Sequence, residues 1–324
     1  MSTGIDKQLP QDLWSLPFIN RGISGIVFAV DELSVIKTPA GGENNCQELE
    51  IERKILERLG EHPRIVKLLR IDRDMIILER LQYPLRVRIQ ELQDIKAKPT
   101  VKEILKWSAQ AAEGMQYLHS KSVFQVDIGP HNLLLDWDDN IKYCDFSGSS
   151  LDGRAALVSA SLYAQHPSFS VNSPSVQSEI FSLGCTIFEI STTHRVYEGK
   201  GETEVQNLFA KGHYPKTEDL LLGSTILNCW TDRYQDAGQV AADIREIQRR
   251  ILLGDLSLSL YDLVQHRRNQ QCREASTIVR SFLATIAFYR RTLFSTAAFI
   301  ARWVWQNLAN GPLRTSRKRC QDVP

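Results

Sequence analysis

The hydrophobic positions of the first eighty residues form short runs separated by turn residues. Within Phe18–Ile36 the runs alternate or cluster around Gly22 and Gly25, a pattern typical of three short strands joined by turns. Asn45–Leu59 differs, because its apolar residues recur at helical spacing after a Glu-rich start that suits a helix N-terminus. Met75–Leu81 is again a compact apolar run, which predicts a strand that leads into a connector.

Helical spacing dominates the next part of the chain. Val101–His119 is strongly periodic, and Cys185–Thr192 is an apolar stretch that predicts a buried helix. Leu222–Trp230 and Ala237–Arg249 also have helical patterns. A strand-rich beginning is therefore followed by a helical remainder.

Composition excludes several classes of protein. The chain has 324 residues, 43% of them hydrophobic and 24% charged, which is ordinary for a soluble globular protein. The six cysteines are scattered without a C-x-x-C pair, so we expect reduced thiols inside a cell and neither a disulfide framework nor a zinc site. The N-terminus has no apolar run after basic residues, and we expect no signal peptide.

Charge is unevenly distributed although the net charge is only +1. From Ile251 onward there are eleven Lys and Arg residues against four Asp and Glu residues, so the preceding part is acidic. That acidic part lacks the basic footprint of a nucleic-acid-binding surface. We therefore expect no nucleic-acid partner.

The chemistry is concentrated in Phe124–Ser147. Asp127 stands five residues before Asn132, and Asp145 follows an apolar run and precedes Phe-Ser. Phosphoryl transfer from a nucleotide requires a carboxylate facing the attacking hydroxyl, and oxygen ligands for the metal ions on the phosphates. This spacing supplies all three oxygen donors from one loop and the hairpin that follows it.

These residues resemble the D-x-x-x-x-N catalytic loop and the D-F-G segment of eukaryotic protein kinases. Four further segments resemble motifs of the same family in the same order. They are the glycine-rich loop at Asn20–Val27, the V-A-I-K strand at Ser34–Lys37, the H-P-x-I-V-x-L segment at His62–Leu68 and the D-x-W-S-x-G helix start at Glu179–Gly184.

The resemblance implies an α+β, bilobal fold with a small antiparallel-sheet N-lobe and a larger helical C-lobe. We expect this domain to cover residues 18–253, after an N-terminal extension of residues 1–17 and before a basic, partly amphipathic helical tail of residues 254–324. The implied activity is transfer of the γ-phosphate of ATP, with Mg²⁺, to Ser or Thr hydroxyls of a protein substrate.

The resemblance also assigns roles to residues. Asp127 would orient the substrate hydroxyl, Lys37 would pair with Glu52 and contact the phosphates, and Asn132 and Asp145 would bind metal. Leu78 would be the gatekeeper beside the adenine, and the hinge would follow it. The expected nucleotide-contacting set is Asn20, Gly22, Ser24, Gly25, Val27, Val35, Lys37, Leu78, Glu79, Leu81 and Leu134.

Several residues depart from the family pattern. Gln125-Val126 replaces His-Arg, Gly129 stands where Ser/Thr kinases carry a lysine near the transferred phosphate, and Ser147 replaces the glycine of D-F-G. We expect Ser147 to reduce backbone freedom and Val35, in place of Ala, to narrow the adenine pocket. These departures keep a second hypothesis open, a weak or inactive pseudokinase that acts as a nucleotide-binding scaffold.

A third hypothesis is a small-molecule kinase of the aminoglycoside or choline type. The segment D-I-G-P-H-N at residues 127–132 resembles the D-L-x-P-x-N loop of those enzymes, which also lack the lysine. The H-P-R-I-V segment and the Glu179–Gly184 helix start are protein-kinase features and favour the first hypothesis.

The C-terminal region has its own pattern. Ser276–Leu308 is apolar with helical character, and Arg280, Arg291 and Arg302 recur every eleven residues, nearly on one face of a helix. Three alternatives stay open: a helix packed on the large lobe, an interfacial membrane helix with peripheral membrane contact, and a membrane span. The basic segment Arg314–Cys320 could bind anionic surfaces, serve as a nuclear address or simply be solvated. We expect an intracellular protein, in the cytoplasm, with the nucleus or a membrane surface as alternatives.

Overall fold

The structure is a computed structural model, and it describes residues 9–10, 12–169 and 173–254. These residues belong to one compact unit. The predictions for Ser276–Leu308 and Arg314–Cys320 concern residues outside the described ranges. Within those ranges, each helix is too short or too polar to cross a bilayer.

The N-terminal lobe is built on a five-stranded antiparallel sheet with the strand order β1-β2-β3-β5-β4. A short 3-10 helix precedes the sheet, and a helix, α1, lies between β3 and β4 in the chain. The elements are the 3-10 helix Leu13–Ser15, β1 Phe18–Arg21, β2 Gly25–Ala29, β3 Ser34–Pro39, α1 Glu43–Leu59, β4 Leu68–Asp72 and β5 Met75–Glu79.

The two faces of this sheet belong to different clusters, as the two-residue period of a strand requires. On β3, Ile36 packs with Ile26, Phe28 and Ile77 in a small cluster. Its neighbour Val35 belongs to the main core, which includes the buried side chains of α1. The face that carries Val35 is therefore also the face that directs Lys37 toward α1.

Six helices of the described residues form the larger lobe, and the predicted α+β, two-lobed fold is confirmed. The helix α3 begins at a capping box of Thr100 and Glu103, and the almost completely buried α4 begins at one of Ser175 and Ser178. Sequence analysis did not identify α2 and α5. The helices are α2 Leu85–Asp94, α3 Val101–Ser120, α4 Val176–Thr192, α5 Glu202–Ala210, α6 Gly223–Trp230 and α7 Ala237–Leu252.

Four short strands fix the loops that carry the chemistry. β6 (Val123–Phe124) pairs with β9 (Ser150–Leu151), and β7 (Leu133–Leu135) pairs with β8 (Ile141–Tyr143). Residues 125–132 thus form a loop between β6 and β7, which we call the catalytic loop. Residues 144–149 form a second loop between β8 and β9.

A polar contact connects the end of the small sheet to the larger lobe. Glu79, the last residue of β5, accepts a hydrogen bond from the backbone N–H of Lys67 at 2.8 Å through Oε1. The same oxygen lies 2.5 Å from Nζ of Lys142 on β8. The carboxylate of Glu79 is therefore already engaged by Lys67 and Lys142.

We predict that Gly114→Ala destabilises the fold, although alanine normally stabilises a helix by about 1 kcal/mol relative to glycine. A Cβ on Gly114 would lie 2.5 Å from Cε2 of Tyr143. That ring cannot easily move, since it is buried and its hydroxyl donates to the carbonyl of Ala111 at 2.8 Å. Overpacking of this kind costs about 1–3 kcal/mol, to be measured by urea denaturation.

Lys102→Ala, at an exposed position of the same helix, is the matched control. It should leave the free energy of unfolding within about 0.5 kcal/mol of the wild type. A higher urea midpoint for Gly114→Ala would show that the contact between α3 and β8 is looser than the structure has it.

Candidate active site

Lys37 lies at the centre of the site. Its side chain is 8% exposed, and its Nζ lies 2.5 Å from Oε2 of Glu52 on α1 and 2.8 Å from Oδ1 of Asp145. Strand β3, helix α1 and the loop after β8 each supply one member. Three residues that are far apart in sequence are thus brought into one ion-pair cluster.

The charges of this cluster depend on one another. Burial raises the pKa of Glu52, an effect that Lys37 opposes only in part. Burial lowers the pKa of Lys37, but Glu52 and Asp145 raise it by more, so that the lysine stays protonated. Burial also raises the pKa of Asp145, whereas Lys37 and Ser147 lower it by more and keep this acid ionised.

Ser147 connects Asp145 to the glycine-rich loop. Its hydroxyl donates to Oδ1 of Asp145 at 2.7 Å, and its Oγ lies 2.9 Å from Oγ of Ser24. Ser147 is not among the described residues with positive φ, so the backbone conformation at this position does not require a glycine. The residue in the left-handed region is Asp145, with φ 58°.

Gly25 lies where β2 comes very close to Lys37 and Thr38 of β3. A Cβ at this position would lie 3.0 Å from Cε of Lys37 and 3.0 Å from the carbonyl oxygen of Thr38. A side chain at residue 25 would therefore crowd the stem of Lys37 and the backbone of β3, and one of them would have to shift by a few tenths of an ångström.

Asp127 and Asn132 face each other across the catalytic loop. Nδ2 of Asn132 donates to the carbonyl oxygen of Asp127 at 2.9 Å and to its Oδ2 at 3.2 Å. The carbonyl of Asn132 accepts from the N–H of Cys144 at 3.1 Å, which fixes it beside the loop that carries Asp145. Because the amide nitrogen faces Asp127, the amide oxygen of Asn132 is left for another ligand.

Sequence analysis missed His131, whose Nε2 lies 2.9 Å from Oδ2 of Asp127. The four-residue spacing between Asp127 and His131 was the available signal, but in a loop spacing does not fix which way a ring points. The structure thus places an imidazole directly on the carboxylate that the family resemblance makes catalytic.

Glu179 is a buried acid that holds the start of the catalytic loop in place. It is 1% exposed, accepts the N–H of Val126 at 2.6 Å and lies 2.6 Å from Nε2 of His119. Val126 has φ 71°, an unfavourable conformation for a β-branched residue. A buried, charge-assisted hydrogen bond is strong enough to hold it there.

Gln125, which stands where the family has histidine, is buried and donates to the carbonyl of Cys144 at 2.6 Å. This amide ties the catalytic loop to the residue before Asp145. The substitution therefore replaces ring packing with a hydrogen bond between the two loops.

The residues expected to contact the nucleotide separate into two groups by their burial. Val35 and Leu78 are buried and directly paired across β3 and β5, while Val27, Leu81 and Leu134 are partly buried. In contrast, Asn20 and Gly22 are exposed. The side chain of Asn20 accepts its neighbour's backbone N–H at 2.8 Å, so it is turned toward the chain itself.

The donor set fits a magnesium ion held jointly with nucleotide phosphates. Asp145 offers a carboxylate and Asn132 an amide oxygen, the oxygen ligands that Mg²⁺ takes in small number. Among the described residues, no group of three or more His, Cys, Asp and Glu side chains could hold a metal by itself. Phosphate oxygens would have to complete the coordination.

Comparison with known families agrees with this geometry. The sequence model of the family described as "Protein kinase domain" matches residues 24–279, which is well over half of the chain.

Individual relatives are distant. Mitogen-activated protein kinase kinase kinase 1b of Physcomitrium patens is 26% identical over 227 residues, 64% of this chain and 29% of that protein. Receptor-interacting serine/threonine-protein kinase 1 of Homo sapiens is 26% identical over 284 residues, 76% of this chain and 41% of that protein. Protein kinase MCK1 of Saccharomyces cerevisiae is 28% identical over 183 residues, 52% of this chain and 48% of that protein. The chain spans less than half the length of each of these relatives.

We predict that Lys37→Met destabilises the fold by about 3–5 kcal/mol, because it leaves Glu52 buried without a partner. The double variant Lys37→Met/Glu52→Leu should recover most of this loss. A folded-state pKa above the unfolded value makes burial of Glu52 more costly as pH rises, so the deficit of the single variant should be larger at pH 8 than at pH 5. Urea denaturation at both pH values measures these differences.

Arg249→Met is the control, since it removes an exposed pair with Glu246 and should cost at most about 1 kcal/mol. A double variant no more stable than Lys37→Met would show that the loss is not due to an uncompensated charge on Glu52.

Proposed function

Because this chain belongs to the protein kinase family, we propose that it transfers the γ-phosphoryl group of ATP to a Ser or Thr hydroxyl of a protein substrate. The observation that carries the proposal is the contact of buried Lys37 with both Glu52 and Asp145. It holds a phosphate-binding cation and a metal-binding carboxylate in one charged cluster, although more than a hundred residues separate Lys37 from Asp145.

Asp127 is the group we assign to the acceptor. In the proposed step the acceptor oxygen forms a bond to the γ-phosphorus and the bond to the β–γ bridging oxygen breaks. The hydroxyl proton passes to Asp127, and ADP leaves. The contact from Asn132 orients the carboxylate for this role.

Asn132 and Asp145 would hold Mg²⁺, which when bound neutralises phosphate charge. Lys37 would contact the α- and β-phosphates, and Glu52 keeps its ammonium group in place. Because Asp145 is also the carboxylate that Lys37 contacts, the metal and the lysine would act on the same phosphate chain.

Specificity for Ser and Thr is supported by two observations. The catalytic loop lacks the signature of tyrosine kinases, and one of the relatives, the human receptor-interacting kinase, is a serine/threonine kinase by name. An intracellular location is supported by the described cysteines Cys46, Cys144, Cys185 and Cys229, all of which are free thiols.

We predict that Asp127→Asn lowers the transfer of label from ATP to a generic acceptor protein by about 10²–10⁴-fold, as expected for loss of a positioned general base. Asp145→Asn should also lower the transfer strongly, because it removes a carboxylate that would hold the metal ion on the phosphates. The assay should be run with Mg²⁺ and with Mn²⁺. Asp138→Asn is the matched control, because this aspartate is exposed in the β7–β8 turn, and its activity should equal that of the wild type.

Three outcomes distinguish the alternatives. Transfer that requires both acids supports the protein kinase. Nucleotide binding without transfer, weakened by Asp145→Asn, would instead establish a nucleotide-binding scaffold. Label that appears only on an aminoglycoside or an amino alcohol would establish a small-molecule kinase.

A further inference from the structure

The tip of the glycine-rich loop, residues 22–25, is held by contacts inside the small lobe. The backbone N–H of Gly22 donates to the carbonyl of Gly25 at 2.9 Å, which closes the turn. In the first turn of α1, Nδ2 of Asn45 donates to the carbonyl of Ile23 at 3.1 Å. Both contacts join elements of the small lobe, so they would move with the loop's own lobe when the cleft changes width.

A third contact of the same turn crosses to the loop after β8. Oγ of Ser24 lies 2.9 Å from Oγ of Ser147, although the two residues are 123 positions apart in the chain. Both residues are buried, with exposed fractions of 8% and 6%. A glycine at residue 147, which the family pattern has, could not make this contact. The departure from the family pattern therefore adds a bond between the glycine-rich loop and the larger lobe.

The hydrogen bonds at Ser147 have a fixed direction. Its Oγ lies 2.7 Å from Oδ1 of Asp145, an oxygen that also accepts a hydrogen bond from Lys37 at 2.8 Å. Because a hydroxyl has one hydrogen, Ser147 donates it to Asp145 and accepts the hydrogen of Ser24. The two hydroxyls thus form a chain from the glycine-rich loop to the carboxylate, and in such a chain each bond strengthens the next.

This chain leaves the carboxylate open to a ligand. The side chain of Asp145 is 43% exposed, whereas both hydroxyls are buried. Lys37 and Ser147 contact the same oxygen, Oδ1, so neither of these two bonds occupies Oδ2. The contact with the glycine-rich loop and the proposed metal site therefore share a residue without competing for one atom.

We propose that Ser147 is a positioning residue whose hydroxyl holds the glycine-rich loop closed over the carboxylate that would bind Mg²⁺. We call its contact with Ser24 the serine latch, and the inference rests on the proposed function. A nucleotide under the glycine-rich loop is released when the loop lifts, and lifting leaves two buried hydroxyls without their partners. The serine latch is formed before binding and closes again afterwards, so it slows both entry and release and changes the affinity much less.

The first test requires neither nucleotide nor transfer. Ser24→Ala and Ser147→Ala should each speed amide hydrogen exchange in residues 20–25 about three- to tenfold, as expected when one hydrogen bond no longer opposes local opening. Exchange in α3 of the same samples should stay unchanged, which shows that the effect is local and that each variant is folded.

Ser159→Ala is the matched control, because it removes an exposed hydroxyl from the segment after β9. Its exchange in residues 20–25 should equal that of the wild type. The proposal is overturned if Ser147→Ala exchanges in this segment no faster than the control.

The second test is a double-mutant cycle on the same exchange rates. The two alanine substitutions break one and the same bond, so the double variant Ser24→Ala/Ser147→Ala should exchange no faster than the faster single variant. Effects that multiply instead would show that the two hydroxyls act independently, and the serine latch would be rejected.

The third test measures nucleotide kinetics by stopped flow with a fluorescent ADP analogue and Mg²⁺. Ser24→Ala is the informative variant, since Ser147 also contacts Asp145. Release should be about three- to tenfold faster than in the wild type, and association should be faster by a similar factor, so that the affinity changes less than about twofold. Ser159→Ala should have wild-type rates.

Two other kinetic results contradict the proposal. Unchanged release in Ser24→Ala would show that the serine latch does not limit opening. Faster release with an equal loss of affinity would identify a direct contact of Ser24 with the nucleotide in place of a latch.

Failure of the proposed function is distinguishable from failure of this inference. If the wild type binds the ADP analogue but transfers no phosphate, the proposed function fails, and faster release from Ser24→Ala still supports the serine latch. If transfer occurs while loop exchange and release are the same in Ser24→Ala and in the control, the inference fails and the proposed function stands.

Discussion

A single buried ammonium group organises this protein. Lys37 leaves the sheet of the small lobe and forms ion pairs with Glu52 of α1 and Asp145 of the larger lobe. A buried charge without a partner is strongly destabilising, so the positions of β3, α1 and the loop after β8 are mutually dependent. Gly25 takes part as well, because a Cβ at this position would crowd the stem of Lys37 at 3.0 Å. Stability and chemistry therefore draw on the same contacts.

The rest of the catalytic loop is held by a second buried acid. Glu179 fixes Val126 in a left-handed conformation and contacts His119. Glu52 in the small lobe and Glu179 in the larger lobe have similar roles. Each is buried and already paired inside the protein, so neither is available to contact a ligand. Strain in the loop is thus balanced by contacts made outside it.

Much of this could be predicted from the sequence, since the alternation of apolar residues marks the small sheet and the helical spacing marks α1, α3 and α4. The pairing of Lys37 with Glu52 that the family resemblance implies is also present, at 2.5 Å, and Glu52 is buried on α1 with 1% exposure. The short helices α2 and α5 were not predicted because neither has a long periodic pattern. The contacts of His131 and Ser147 were not predicted because they depend on the directions of side chains in loops, which the periodicity of the sequence does not encode.

The contact of Glu79 with Lys142 has a consequence for motion. Nucleotide exchange in a two-lobed protein requires the cleft to widen, and such hinge movements occur in microseconds to milliseconds. Here widening at this point must lengthen an ion pair between partly buried side chains, 23% and 15% exposed, which salt screens only weakly. This ion pair therefore opposes the separation of β5 from β8, and the two lobes can move apart at this point only as often as the carboxylate of Glu79 releases Lys142.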